Sequence, residues 1–114
     1  MPTEPLQTRA FTMRLFPGMA DVYAVRHDAI WPELEAALHD AGVVDYRIFL
    51  DEASGTLFAV LHHVADHRLD SLPDLPVMRR WWDAMADLME TGPDNVPRQW
   101  PLRPVFTLRS REPA

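Results

Sequence analysis

An α+β fold, an antiparallel sheet with two helices packed on one of its faces, is what this sequence predicts. Three observations carry that expectation. Segments of strand-like alternation stand near both ends of the chain, two further strand-like runs in the middle are joined by a turn of four residues, and two stretches of helical periodicity separate these blocks. The resulting order is β-α-β-β-α-β.

The elements follow in turn. The first eight residues hold two prolines and little apolar content, so residues 1–8 are expected to form a disordered tail, and residues 9–110 a single domain. From Arg9 to Phe16, Phe11, Met13 and Leu15 alternate with Thr12 and Arg14, which is the pattern of a strand, and Pro17-Gly18 ends it. A helical segment is expected from about Met19 to Ala41, capped by Gly42. Within it Pro32 removes an amide donor and crowds the carbonyl of Asp28, so the helix must kink or restart there. Val43 to Asp51 reads as the second strand, with Val44, Tyr46, Ile48 and Leu50 on one face and Asp45, Arg47 and Phe49 on the other. Glu52 to Gly55 turns the chain into a third strand, Thr56 to Val64, apolar on both faces. Ala65 to Pro76 reads as a short helix and a proline-marked loop, Val77 to Glu90 as an amphipathic helix, Gly92-Pro93-Asp94-Asn95 as a turn, and Val105 to Arg109 as the final strand. This is the split βαβ order of ferredoxin-like domains. With both helices on one face, Phe16, Phe49 and one alternation of the third strand lie on the bare face, and a homodimer formed through that sheet face would cover them.

Composition excludes several kinds of chemistry. The chain has no cysteine, which removes disulfides, thiolate metal sites and a cysteine nucleophile. All eleven basic residues are arginines, scattered along a chain of net charge -6, so no basic stripe exists for nucleic acid and no lysine for Schiff-base or P-loop chemistry. No apolar run approaches the ~20 residues of a membrane span, and the first residues lack the basic and apolar regions of a signal peptide, which leads to the expectation of a cytoplasmic protein.

The residues with chemical potential lie on the two helices. At 100° per residue Tyr23, His27, Ile30, Leu34, Ala37 and Leu38 share one arc of the first, with Arg26, Asp28, Glu33 and Glu35 outside it. His27 therefore faces inward one turn from the Tyr23 hydroxyl. A core pair satisfying each other or the backbone is the simpler account of these two residues alone. The break at Pro32 would nevertheless open a small cleft beside them. On the second helix Trp81 is near the centre of the apolar arc and Trp82 at its edge. They could be core and flank, or a flat wall on which the C–H face of a sugar can lie, with Tyr46 closing the same pocket. His62, His63 and His67 are crowded in sequence, but neighbouring strand residues point to opposite faces, so no metal site is expected. His39 falls on the polar helix face. Trp31, Asp94 and Asn95 receive no role from the pattern.

These residues together resemble the L-rhamnose mutarotase family. Tyr-x-x-x-His running into IWPELE, then DYRIFLD, TLFA, RRWWDAM, and PDN before a last strand occur in family order and spacing from Arg9 to Leu108. The resemblance implies a dimeric α+β barrel, free of cofactor, that interconverts the α and β anomers of L-rhamnose. It places the catalytic acid at His27 and the sugar contacts at Tyr23, Tyr46, Trp81 and Trp82. The loop from Ser71 to Pro76 and Arg103-Pro104 depart from the family pattern, which puts the sugar preferred in question. Two other readings share the same architecture. One is a cofactor-free monooxygenase of the dimeric α+β barrel type, and the other a sugar-binding domain without turnover.

Overall fold

The computed structural model describes residues 5–109. Its sheet has four strands, β1 (Gln7–Arg14), β2 (Val43–Asp51), β3 (Thr56–His63) and β4 (Trp100–Pro101), in the spatial order β2-β3-β1-β4 with every neighbour antiparallel. The helices are α1 (Ala20–Asp28), α2 (Pro32–Asp40) and α3 (Pro76–Met85), with short 3-10 turns at Leu69–Asp74 and Pro93–Asn95. This is the α+β, ferredoxin-like arrangement that the element order implies.

Strand pairing decides which side chains meet the helices. Phe11 and Met13 of β1 stand opposite Ala59 and Leu57 of β3, which in turn stand opposite Ile48 and Leu50 of β2. All six belong to, or pack against, the single core that Leu34 of α2 and Val77, Trp81 and Met85 of α3 close from above. The other alternation, Ala10, Thr12, Phe58, Val60 and Phe49, lies on the bare face. Register lines up Phe49, Phe58, Thr12 and Trp100 across all four strands, and the three aromatics are 59%, 38% and 42% exposed.

Four sequence expectations are corrected. The first strand begins at Gln7, because β3 runs on to His63 and offers partners to Gln7 and Thr8. The expected tail therefore loses those two residues, and residues 1–4 lie outside the described part. The break expected at Pro32 is present as a restart, which gives two helices. Ala29 and Ile30 turn the chain, Trp31 is extended (φ -67°, ψ 131°) as a residue before proline must be, and Pro32 opens α2. A β-bulge between Val43 and Asp45 sends Val43 into the core and leaves Val44 45% exposed, so Val44 does not share the face of Tyr46. The last helix stops at Met85. Residues beyond it run beside the end of β1, where the Phe16 amide donates to the Leu88 carbonyl and the Glu90 amide to that of Arg14. Leu88 and Met89 still reach the core.

The final strand is Trp100–Pro101 and not Val105–Arg109. Trp100 and Pro101 pair with Thr12 and Phe11, and the Leu102 amide reaches the Ala10 carbonyl. Two prolines, Pro101 and Pro104, then interrupt the supply of ladder donors. Val105, Phe106 and Leu108 beyond them are about 80% exposed. Residue 110, the last of the expected domain, lies outside the described part. No helix among the described residues is long and apolar enough to cross a membrane.

Candidate active site

The break between α1 and α2 leaves a cavity of about 550 Å³ between the helices and the inner sheet face. Tyr23, His27, Tyr46, Trp81 and Trp82, the five residues singled out in the sequence, all line it. Its floor is apolar, built from Met13, Leu57 and Ile48 of the sheet and Leu34 and Met85 of the helices. Projection as one continuous helix placed Tyr23, His27, Ile30, Leu34 and Leu38 on one arc. The real chain breaks after Asp28, yet all five still face the cavity, because α2 restarts with its own apolar face turned the same way.

His27 is held from three sides. Its Nδ1 lies 3.0 Å from the Tyr23 carbonyl oxygen. The Tyr23 ring stacks on the imidazole at 4.2 Å between centroids and 29° between planes, and Trp81 meets it edge-on at 5.4 Å and 87°. Trp31 stands edge-on to Trp81 at 5.2 Å and is absent from the lining, so it supports the Trp81 wall from behind. α1 is tied by an ion pair to the turn that follows α3, and α2 to α3 itself. Arg26 grips both carboxylate oxygens of Asp87 at 2.9 and 3.3 Å, and Arg80 reaches Glu33 at 3.0 Å. The Arg26 guanidinium also donates to the Ala84 carbonyl.

Burial decides the protonation of the site. It lowers the His27 pKa below the usual 6.5, against the smaller opposing effects of the Tyr23 hydrogen bond and the Asp28 charge. It raises the Tyr23 hydroxyl well above the ordinary phenol range, with Tyr46 adding to the effect, and pushes Tyr46 up to about 12. Tyr46 lines the cavity with 36% of the residue exposed. Near neutral pH the cavity therefore presents an uncharged imidazole and two intact phenols.

Sequence reasoning missed two polar residues of the lining, Asp28 and Gln99. Asp28 fell outside the helical arc, but α1 ends at that residue and the turn brings it to the rim. It is the only carboxylate of the lining, and no arginine accompanies it. Gln99 reaches the rim from the segment before β4, and no periodicity marks it.

The other polar candidates lie elsewhere. Among the described residues no group of three metal-ligating side chains is assembled. The His62 ring meets Asp45 at 2.9 Å, His63 Nδ1 bonds the Val64 carbonyl, His67 Nδ1 accepts the Leu69 amide and His39 Nδ1 bonds the Val43 carbonyl. Asp94 and Asn95 form a positive-φ turn fastened to α3 through Arg79 (3.7 Å) and Asp83 (3.1 Å).

The fold and the cavity define a small α+β protein with an aromatic-walled small-molecule site around one histidine, with a single carboxylate, Asp28, on its lining. Comparison with known proteins narrows that class. The sequence model of the L-rhamnose mutarotase family matches residues 8–108. An L-rhamnose mutarotase of Paraburkholderia phytofirmans is 58% identical over 105 residues, covering 92% of this chain and 98% of that protein. One from Jannaschia sp. is 58% identical over 101 residues, covering 89% and 97%. The crystal structure of an L-rhamnose mutarotase from Formosa agariphila superposes with a TM-score of 0.84 at 42% identity, over 90% of this chain and 99% of that one. A Pseudomonas aeruginosa protein at 15% identity and a TM-score of 0.57 shares the fold alone. The chain belongs to the L-rhamnose mutarotase family.

Proposed function

We propose that this protein is an isomerase that interconverts the α and β anomers of L-rhamnose, or of a closely related sugar, by acid–base opening of the pyranose ring. The observation that carries the reading is the cavity itself. An imidazole, two phenols and two indoles surround one space whose lining holds no cationic side chain. Such a site suits a neutral polyol. The phenols and indole N–H groups meet hydroxyls, and the indole faces and the methionines take the apolar C–H surface and a methyl group. Membership of the family supports the same substrate.

Ring opening needs one proton on the ring oxygen and one removed from the anomeric hydroxyl, and rotation about C1–C2 before reclosure delivers the other anomer. His27 is the acid–base group in this reading. Tyr23 and Tyr46 orient hydroxyls, and Trp81 and Trp82 form the stacking wall. No metal or organic cofactor is required for these steps.

Two finer points go with the proposal. One is a cytoplasmic location, in keeping with sugar metabolism. The other is a homodimer that buries the bare sheet face and completes a dimeric α+β barrel, supported by the exposed row of Phe49, Phe58 and Trp100.

Exchange NMR spectroscopy of L-rhamnose tests the function directly. Added protein is expected to produce α/β exchange cross-peaks, and mannose, fucose and galactose measured alongside rank the hydroxyl stereochemistry accepted. Line changes without added exchange would reduce the site to a binding module. Oxygen uptake with an aromatic substrate, and no exchange, would favour a monooxygenase instead.

A further inference from the structure

A second cleft, of about 520 Å³, opens at the Gln7 end of the sheet, and its chemistry is unlike that of the first cavity. β1 and β3 pair Gln7 with His63, and alternation puts both, with Arg9, on the face that Phe11 and Leu61 turn to the core. His67, in the chain that leaves β3, meets the His63 ring edge-on at 4.6 Å and 74°. The segment leading into β4 closes the other side with Gln99, which lines both cavities. The first cavity holds a carboxylate and no arginine. The second holds Arg9 and two imidazoles and, among the described residues, no carboxylate, in a chain of net charge -6.

Hydrogen bonding divides the roles of the two imidazoles. The Val64 carbonyl only accepts, so its contact of 2.8 Å places the hydrogen of neutral His63 on Nδ1 and the lone pair on Nε2. The Leu69 amide only donates, so its contact of 3.1 Å places the lone pair of His67 on Nδ1 and the hydrogen on Nε2. His63 is 4% exposed, yet no buried polar side-chain atom among the described residues lacks a partner. Its Nε2, which bonds to none of those residues, is therefore the atom that opens onto the cleft. The lining thus offers a guanidinium, an imidazole N–H and the amides of Gln7 and Gln99 as donors, beside one imidazole acceptor.

We propose that this cleft binds a small hydroxylated anion, a sugar acid or a sugar phosphate: Arg9 and the His67 Nε2–H take the carboxylate or phosphate oxygens, and the His63 Nε2 accepts a hydroxyl. A guanidinium matches the paired oxygens of either anionic group. A bare anion would leave the His63 lone pair facing negative charge, and a neutral sugar would leave Arg9 unmatched. The space is close to that of the first cavity, so a ligand of similar size fits. The site stands apart from His27, and the inference does not depend on the mutarotase reading.

Titration of the protein followed by 15N-resolved histidine ring spectra tests this, with gluconate, glucose 6-phosphate, inorganic phosphate and glucose as probes. Gluconate, glucose 6-phosphate or both are expected to move the His63 and His67 signals and leave those of His27 in place, and the tighter of the two names the anionic group. Inorganic phosphate, lacking the hydroxyl contact, is expected to bind about tenfold more weakly. Arg9 is exposed, so Arg9→Gln should fold normally and weaken binding of the hydroxylated anion on the order of tenfold or more. His63 and His67 signals unmoved by every probe at about 10 mM would overturn the proposal. So would inorganic phosphate binding as tightly as the hydroxylated anions, glucose moving the same signals equally, the anions moving the His27 signals instead, or an unchanged affinity in Arg9→Gln.

Discussion

Tyr23 and His27 owe their placement to a spacing of four on a short helix, which is why the pair was legible in the sequence. Their protonation was not legible, because it depends on the lid formed by α3 and on how deep each polar atom lies. The two phenols carry a stability consequence. Both have a folded pKa above the unfolded value of 10.0, so the unfolded chain loses their protons first as pH rises. Their contribution is present below pH 10 and is lost as pH climbs through the folded values, of which that of Tyr46 is about 12. Urea unfolding between these limits should show stability falling with pH. Tyr46→Phe should flatten part of that slope, and an identical slope in the variant would contradict the raised Tyr46 pKa. Asp28 and Gln99 escaped sequence reasoning for a related reason. A residue at a helix end or in a loop is aimed by the turn that follows it, and periodicity says nothing about turns.

At the scale of elements, the interruption at Pro32 is what the sequence signalled most clearly and what the structure uses most. The cavity is lined by residues on both sides of that break, Tyr23, His27 and Asp28 before it and Leu34 and Leu38 after it. The helix after it, α2, ends at Asp40, and at Gly42 just beyond, φ is +112° and an added Cβ would stand 3.0 Å from both the His67 Cβ and the Val64 Cγ2. Gly42→Ala is therefore strained twice, by backbone conformation and by close packing, and should cost more than about 1 kcal/mol in urea unfolding. A neutral result would mean that the junction of α2 and β2 relaxes freely. The errors of element reading share one cause. Leu88 and Met89 keep helical spacing of apolar side chains while their backbone pairs with the end of β1, and Val105 to Arg109 alternates like a strand although Pro101 and Pro104 end the ladder before it. Local pattern reports which side chains are apolar and cannot report which backbone groups have already found partners.

The whole molecule presents two apolar faces to the sheet's surroundings, one covered by helices and one bare. The aromatic row of Phe49, Phe58 and Trp100 is open to solvent, as are Val105, Phe106 and Leu108. A homodimer predicts a sedimenting mass of twice 13.1 kDa, and a Phe58→Arg variant, whose charge would be buried at the centre of the contact, should shift that mass to the monomer value. A wild-type monomer at micromolar concentration would contradict it. The fold was legible at this scale because the order of elements admits few topologies. The proposed dimer is less legible in the sequence, because alternation marks a face as apolar without naming its partner.

The central claim is that one histidine in this cavity drives anomer exchange of L-rhamnose, and replacing that histidine tests it most directly. His27→Ala should fold with unchanged secondary structure by circular dichroism, still bind the sugar, and leave exchange by NMR within about tenfold of the spontaneous rate, against a wild-type acceleration of which acid–base help typically supplies about 10²- to 10⁴-fold. A folded His27→Ala protein that exchanges the anomers as fast as wild type would contradict the account.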